Sequence, residues 1–210
     1  MRTKQRQPVL DEIVRLGLKH SLTPTLRDVT VLIADMEGYT RATSSMSLGD
    51  AANLTKDFLA CLTRPVLQGH GTLDKYSGDG LVAFWGAPLL CPDQSDRAVS
   101  AGLAILEEVR EFNNERQRAG FAPVQVRIGI ESGRALVGDL GTAFRSTYTA
   151  VGDCINFASR LESAARDLPT QLVIGAAANA LLKQHATLSL GAITLRGTQT
   201  TIDIFTVQTP

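Results

Sequence analysis

Two hydrophobic periods alternate along this chain. VTVLIADM (29–36) is a dense β-branched run and predicts a buried strand. Leu54, Phe58, Leu62 and Val66 then recur every four residues, the spacing of one helical face, and Gly69 and Gly71 stop that helix. TLDKYS and LVAFWG flank Gly78-Asp79-Gly80, which predicts a hairpin with a tight turn. A long helix is expected over about 93–118, with Val99, Leu103, Leu106 and Val109 inward. VQVRIGIES (124–132) reads as a strand, followed by a glycine-rich bend and the strand STYTAV (146–151). Asp153 is expected to cap a helix running to about 167. QLVI, a short Ala-rich helix and strands at about 187–196 and 201–207 complete the pattern.

That order predicts an α+β domain with a ferredoxin-like βαββαβ core plus an additional C-terminal helix and strands. The domain is expected over 29–210, preceded by a leader or linker over 1–28. In that leader Val9, Leu10, Ile13, Val14 and Leu18 fall roughly on one helical face. An amphipathic helix, a solvated tail and the junction with an upstream regulatory domain all remain open for it.

Composition narrows the picture. Of 210 residues, 44% are hydrophobic and 20% charged, enough apolar mass for a sizeable core. Lys plus Arg and Asp plus Glu both number 21, so no basic field exists to hold nucleic acid. The most apolar stretch, LVAFWGAPLL, is too short for a bilayer and is broken by Gly86 and Pro88. Asp11 and Glu12 interrupt what would have to be a signal core. Cys61, Cys91 and Cys154 lack metal-type spacing and are odd in number, as expected of reduced thiols in a cytoplasmic protein.

Two carboxylates carry the candidate chemistry. Asp35 ends the first strand and Asp79 sits in the hairpin turn. Turn aspartates often cap local N–H groups. In a β-α-β-β sheet, however, these two positions can meet at one edge, making a hard oxygen site for Mg²⁺ or Mn²⁺. Gly38 permits a bend whose N–H groups can cradle an anion, and Thr40 adds a hydroxyl. Asn156 and Arg160 lie four apart and so share a helix face, a solvated polar face or one that holds a sugar and a phosphate charge. His20, His70 and His185 are scattered, Phe84 and Trp85 suit a core, and Cys154 suits a buried small residue.

IADMEGYT, DKYSGDGLVAFWGAP, VRIGIESGRALVGDLG and YTAVGDCINFASRLE, in that order, resemble the class III nucleotidyl cyclase catalytic domain over about residues 28–207. The resemblance implies an adenylyl cyclase that turns ATP into cyclic AMP and pyrophosphate with two Mg²⁺ or Mn²⁺ ions. It implies metal binding by Asp35, Asp79 and the Met36 carbonyl. The loop Glu37, Gly38, Tyr39 and Thr40 would wrap the triphosphate, with Arg134 and Arg196 on phosphates. Lys75 and Thr149 would read the purine, Asn156 the ribose, and Arg160 the transition state. The resemblance further implies a head-to-tail homodimer with shared sites, Asp35, Asp79 and Arg134 on one protomer facing Lys75, Thr149, Asn156, Arg160 and Arg196 of the other. Thr149 resembles the subgroup that includes bicarbonate-responsive members, so bicarbonate is an expected activator. Met36 stands where Ile is usual, and Glu131 where His or Asn often appears. Two rivals remain: a guanylyl cyclase, against which Lys75 argues, and a non-catalytic nucleotide-binding or dimerisation module, against which the intact Asp35, Asp79, Asn156 and Arg160 argue.

Overall fold

The computed structural model describes residues 22–44, 46–142, 144, 147–194 and 201–208. Most of the leader therefore lies outside the described residues, as does Arg196. In chain order the elements are β1 (Thr25–Glu37), α1 (Tyr39–Thr43), α2 (Leu48–Gln68), β2 (Thr72–Ser77), β3 (Gly80–Trp85) and α3 (Gln94–Arg118). There follow β4 (Gln125–Asp139), β5 (Tyr148–Val151), α4 (Asp153–Ala164) with a 3₁₀ turn at Ala165–Asp167, β6 (Leu172–Gly175), α5 (Ala176–Ala180), β7 (Thr187–Thr194) and β8 (Thr201–Val207).

The strands form one eight-stranded sheet in the order β2-β3-β1-β4-β6-β8-β7, with β5 paired to β4 off that path. The β2-β3-β1-β4 half is the ferredoxin-like core, and β6, α5, β7 and β8 are the C-terminal additions. Only β4–β6 is parallel among the pairings described.

Hydrophobic periodicity placed the helices well. Leu54, Phe58, Leu62 and Val66 of α2 are all buried against the sheet, and Ser47 caps the helix by accepting from the Asp50 N–H. Trp85 is fully buried beneath α2 and donates its indole N–H to the Gly69 carbonyl at 2.8 Å, so it is core as its pattern predicts. The opposite face of the sheet buries Val29, Val31, Val82, Phe84 and Val137 beneath β5 and α4. A third cluster joins Leu161 of α4 to Val173 and Ile204.

Three local expectations are corrected. The first strand begins at Thr25, inside the segment read as leader, because an unbroken ladder with β4 runs from Thr25↔Val137 to Glu37↔Gln125. That ladder carries β4 straight through Gly133, and pairing with Thr149 of β5 carries it through Gly138, where a bend is predicted. Glycine serves close packing there: a Cβ on Gly129 would strike the Ala158 carbonyl and the Glu162 amide, so α4 can lie down on β4 only at a glycine. Asp153 is the first residue of α4 rather than its cap; Gly152 holds that position, with no side-chain hydrogen bond. Its charge still suits the positive end of the helix.

Candidate functional site

Asp35 lies next to the end of β1, and the β1–β3 register, which aligns Ala34 with Leu81, sets it beside Gly80 and the hairpin turn that carries Asp79. The approach is tight: a Cβ on Gly80 would sit 2.6 Å from both Asp35 Oδ1 and the Ala34 carbonyl. Burial pushes the Asp35 carboxyl up to about 6, with the nearby Asp79 and then Glu162 charges adding to the rise and Arg127 opposing it. Burial likewise raises Asp79, while the backbone N–H groups of Asp79 and Met36 and the charge of Arg127 pull it back. Asp79 Oδ2 is buried with no hydrogen-bond partner among the described residues.

These residues fit a divalent cation. Two mutually repelling carboxylates, one with an orphaned buried oxygen, are what a hard cation would relieve. No group of three or more His, Cys, Asp and Glu suited to a metal occurs among the described residues. Further ligands would have to be backbone, water or substrate oxygens, the usual arrangement for Mg²⁺.

Sequence reasoning missed the cation already present. Arg127 of β4 stands opposite Asp35 in the strand register, and its Nη2 lies 3.4 Å from Asp35 Oδ2. Its Nε donates to Glu162 Oε1 of α4 at 2.7 Å, and Nη1 is buried without a partner among the described residues. Arg134, expected beside Asp35 and Asp79 on one protomer, is elsewhere. It pairs with Asp28, seven residues back along β1, which is about 24 Å at ~3.4 Å per residue. That end of β4 adjoins the start of α4, where Cys154 Sγ faces the Arg134 carbonyl. An extended strand separates side chains by distance along it, which motif adjacency does not show.

The anion-cradle segment divides. Glu37 closes β1, Gly38 adopts φ +70 as the residue before α1, and Thr40 is exposed. Tyr39 instead packs on the main core and accepts from Thr55 Oγ1 at 2.9 Å.

A second group gathers where β2 meets β5. Thr149 of β5 donates from Oγ1 to Asp74 Oδ2 at 2.9 Å, and Lys75 Nζ lies 3.7 Å from the same oxygen. Asp74, also unforeseen, is the extra residue of a β-bulge between Leu73 and Lys75. Burial raises its carboxyl, and the Thr149 hydroxyl and Lys75 charge counter that. Strand alternation gives no hint of a bulge. On α4, Asn156 is exposed, and the Arg160 guanidinium lies over the Phe157 ring at 5.9 Å.

Glu131 has a structural account. Its buried carboxylate accepts from the Ser132 and Ala178 N–H groups at 2.8 and 2.9 Å, tying β4 to α5. Cys154 is buried, which raises its thiol and suits an inert packing residue. His185 meets Ser100 at 2.9 Å on the surface.

Fold and site together define a ferredoxin-like α+β domain with a carboxylate pair near the end of β1 and a Lys75–Asp74–Thr149 cluster where β2 meets β5. Residues 23–209 match the adenylate and guanylate cyclase catalytic domain, and the chain belongs to that family. It is 29% identical over 201 residues to adenylate cyclase 1 of Rhizobium meliloti, covering 93% of this chain and 30% of that protein, so it spans under a third of that relative's length. Among solved structures it is similar to the adenylyl cyclase CyaB from P. aeruginosa (27% identity, TM-score 0.83, covering 90% of this chain and 97% of that one). It is also similar to the guanylate cyclase domain of RhGC from Catenaria anguillulae in complex with GTP (25% identity, TM-score 0.75, covering 88% and 98%).

Proposed function

We propose that the chain is an adenylyl cyclase domain that converts ATP into 3′,5′-cyclic AMP and pyrophosphate at sites shared by two copies. The carrying observation is the meeting of Lys75 and Thr149 at Asp74, residues drawn from β2 and β5. Lys75 can only donate, which suits adenine N1, and a Thr149 hydroxyl can accept from the 6-amino group. In the reaction the ribose 3′-oxygen forms a bond to the α-phosphorus, the bond from that phosphorus to the α–β bridging oxygen breaks, pyrophosphate departs with that oxygen, and the hydroxyl proton passes to solvent.

Mg²⁺ or Mn²⁺ bound by Asp35, Asp79 and the Met36 carbonyl would lower the pKa of that hydroxyl and neutralise the triphosphate. The chain's own groups do the rest. Arg127, buried between Asp35 and Glu162, holds the Asp35 carboxylate in position, and Glu37, Gly38 and Thr40 border the same end. Asn156 holds the ribose, Arg160 meets charge developing on the phosphorus, and Arg196 holds the terminal phosphate from the base-reading half.

Sharing is supported by the surface around the site. A cleft of about 560 Å³ is lined by Glu37 and Gly38 but by none of Asp35, Asp79, Lys75, Thr149, Asn156 and Arg160. Leu26, Leu136 and Val151 form an exposed cross-strand row, aligned as Leu26↔Leu136 and Leu136↔Val151. An apolar row on a sheet suits a second copy in head-to-tail, two-fold contact.

No helix among the described residues is long and apolar enough to cross a membrane. We place the domain in the cytoplasm, where ATP is supplied, and assign bicarbonate as an activator on the strength of Thr149. A bicarbonate titration at fixed pH and ionic strength, with chloride as control, tests the latter, and a flat response removes it. The main test is a product assay on the purified chain with ATP or GTP and Mg²⁺ or Mn²⁺. Cyclic AMP as the dominant product supports the reading; cyclic GMP as the dominant product would favour a guanylyl cyclase, and no product a binding module.

A further inference from the structure

The Thr149 hydroxyl is committed. Its Oγ1 donates to Asp74 Oδ2 at 2.9 Å, and the Asp74 side chain is only 2% exposed, so water does not compete for that bond. The bulge between Leu73 and Lys75 holds Asp74 in this position while leaving Lys75 in register with Val82 and 59% exposed. One buried carboxylate thus touches both groups assigned to the purine edge. A hydroxyl has a single proton and two lone pairs. With the proton spent on Asp74, Thr149 has only lone pairs to offer a ligand.

The geometry points to Asp74 as the positioning residue that sets base choice, by making Thr149 an obligate acceptor beside the obligate donor Lys75. This rests on the reading in which Lys75 and Thr149 face the purine. A 6-aminopurine presents an acceptor at N1 and a donor at the 6-amino group, matching both. A 6-oxopurine presents N1–H and O6, mismatching both. A free threonine hydroxyl would turn its proton toward O6 and recover half of that mismatch. Asp74 forbids the turn, so a residue that need not touch the nucleotide adds to the discrimination.

The test compares ATP with inosine triphosphate, whose base carries the N1–H and O6 edge without a 2-amino group. Both are assayed on the same preparation of the purified chain, so any loss of folded protein cancels in the ratio of kcat/KM values. Thr149→Val is the decisive variant. With the hydroxyl locked as an acceptor, its removal lowers turnover of ATP and raises that of inosine triphosphate. With a freely rotating hydroxyl, turnover of both falls together, which overturns the proposal. Asp74→Ala is expected to narrow the ATP-to-inosine triphosphate ratio by roughly tenfold, as loss of one polar match does. In the Thr149→Val background it should narrow the ratio no further. If Asp74→Ala leaves the ratio intact while Lys75→Glu narrows it, the base-reading site stands and the lock is wrong. If neither Lys75→Glu nor Thr149→Val moves the ratio, the base-reading site itself is wrong and the lock falls with it.

Discussion

Arg127 and Asp35 face each other across β4 and β1, with Nη2 3.4 Å from Oδ2, and Arg127 reaches on to Glu162 at 2.7 Å. One guanidinium thus links the acidic edge of the sheet to the helix that carries Asn156 and Arg160. The Arg127 and Glu162 side chains are 7% and 8% exposed, so the pair is buried, whereas Asp35 stays 34% exposed and open to ligands.

Removing that guanidinium should be costly. Arg127→Ala leaves the buried Glu162 without its cation, with only the Ser163 hydroxyl among the described residues donating to it, and is expected to destabilise the fold by about 3–5 kcal/mol. Urea unfolding at neutral pH reads it. Arg127→Lys keeps the charge but not the fork, and should fall between wild type and Ala. A loss under about 1 kcal/mol for the Ala variant would mean the pair is more solvated than it looks.

The acidic pair predicts an unusual pH response in chelator. Folding raises the Asp35 carboxyl from 3.8 to about 6, so the folded state holds its proton more tightly than the unfolded chain does. The stability this contributes is fully present below 3.8 and is lost as pH rises through about 6. Asp35→Asn should flatten that fall, measured as melting temperature against pH with EDTA present. Stability rising through the same window would contradict the assigned environment.

Metal dependence should follow the carboxylates rather than the fold. Asp35→Ala and Asp79→Ala are each expected to abolish turnover while the circular dichroism spectrum stays native, and EDTA should silence the unaltered chain. Full activity in excess chelator would end the metal assignment. Gly80→Ala should weaken Mn²⁺ binding, measured by calorimetry without nucleotide, because its Cβ would press on Asp35 Oδ1. An unchanged Mn²⁺ isotherm would mean that the hairpin gives way instead.

Shared sites predict complementation. Asp35→Ala and Arg160→Ala, each inactive alone, should regain activity when mixed, since one site of the heterodimer is whole. Absence of rescue, with subunit exchange shown independently, would argue for complete sites within one chain. Leu136→Asp should lower the dimer fraction in sedimentation, because it sets a charge in the exposed apolar row.

Base choice should favour ATP over GTP by about ten- to a few hundred-fold in kcat/KM, the range expected from one or two unmatched buried polar groups. Lys75→Glu should cut ATP turnover and narrow the ratio. Thr149→Asp would set a second carboxylate against Asp74, where the hydroxyl bond now spans 2.9 Å, so ATP activity should fall and Asp74→Asn should restore part of it. Thr149→Asp with undiminished ATP turnover would show that the Asp74 contact opens on binding.

What the sequence by itself determined was the order and type of the main elements, which local period sets. Leu54, Phe58, Leu62 and Val66 announce α2 because one helical face must be apolar to bury. The β-branched run at 29–36 announces β1, Gly78-Asp79-Gly80 its hairpin, and the helix and strand order then yields the ferredoxin-like core. Residue types at Asp35, Asp79, Lys75, Thr149, Asn156 and Arg160 were legible from motif order. What only the tertiary structure decided was which of these residues meet. Arg127 joins Asp35 through antiparallel register, and the same register puts Arg134 at the far end, though both arginines fall within one sequence motif. Asp74 turns inward through a bulge that breaks the two-residue alternation, and its partner Thr149 comes from a strand paired to β4. Register and bulges are fixed by pairing between distant strands, and that pairing is settled only when the sheet closes on its core.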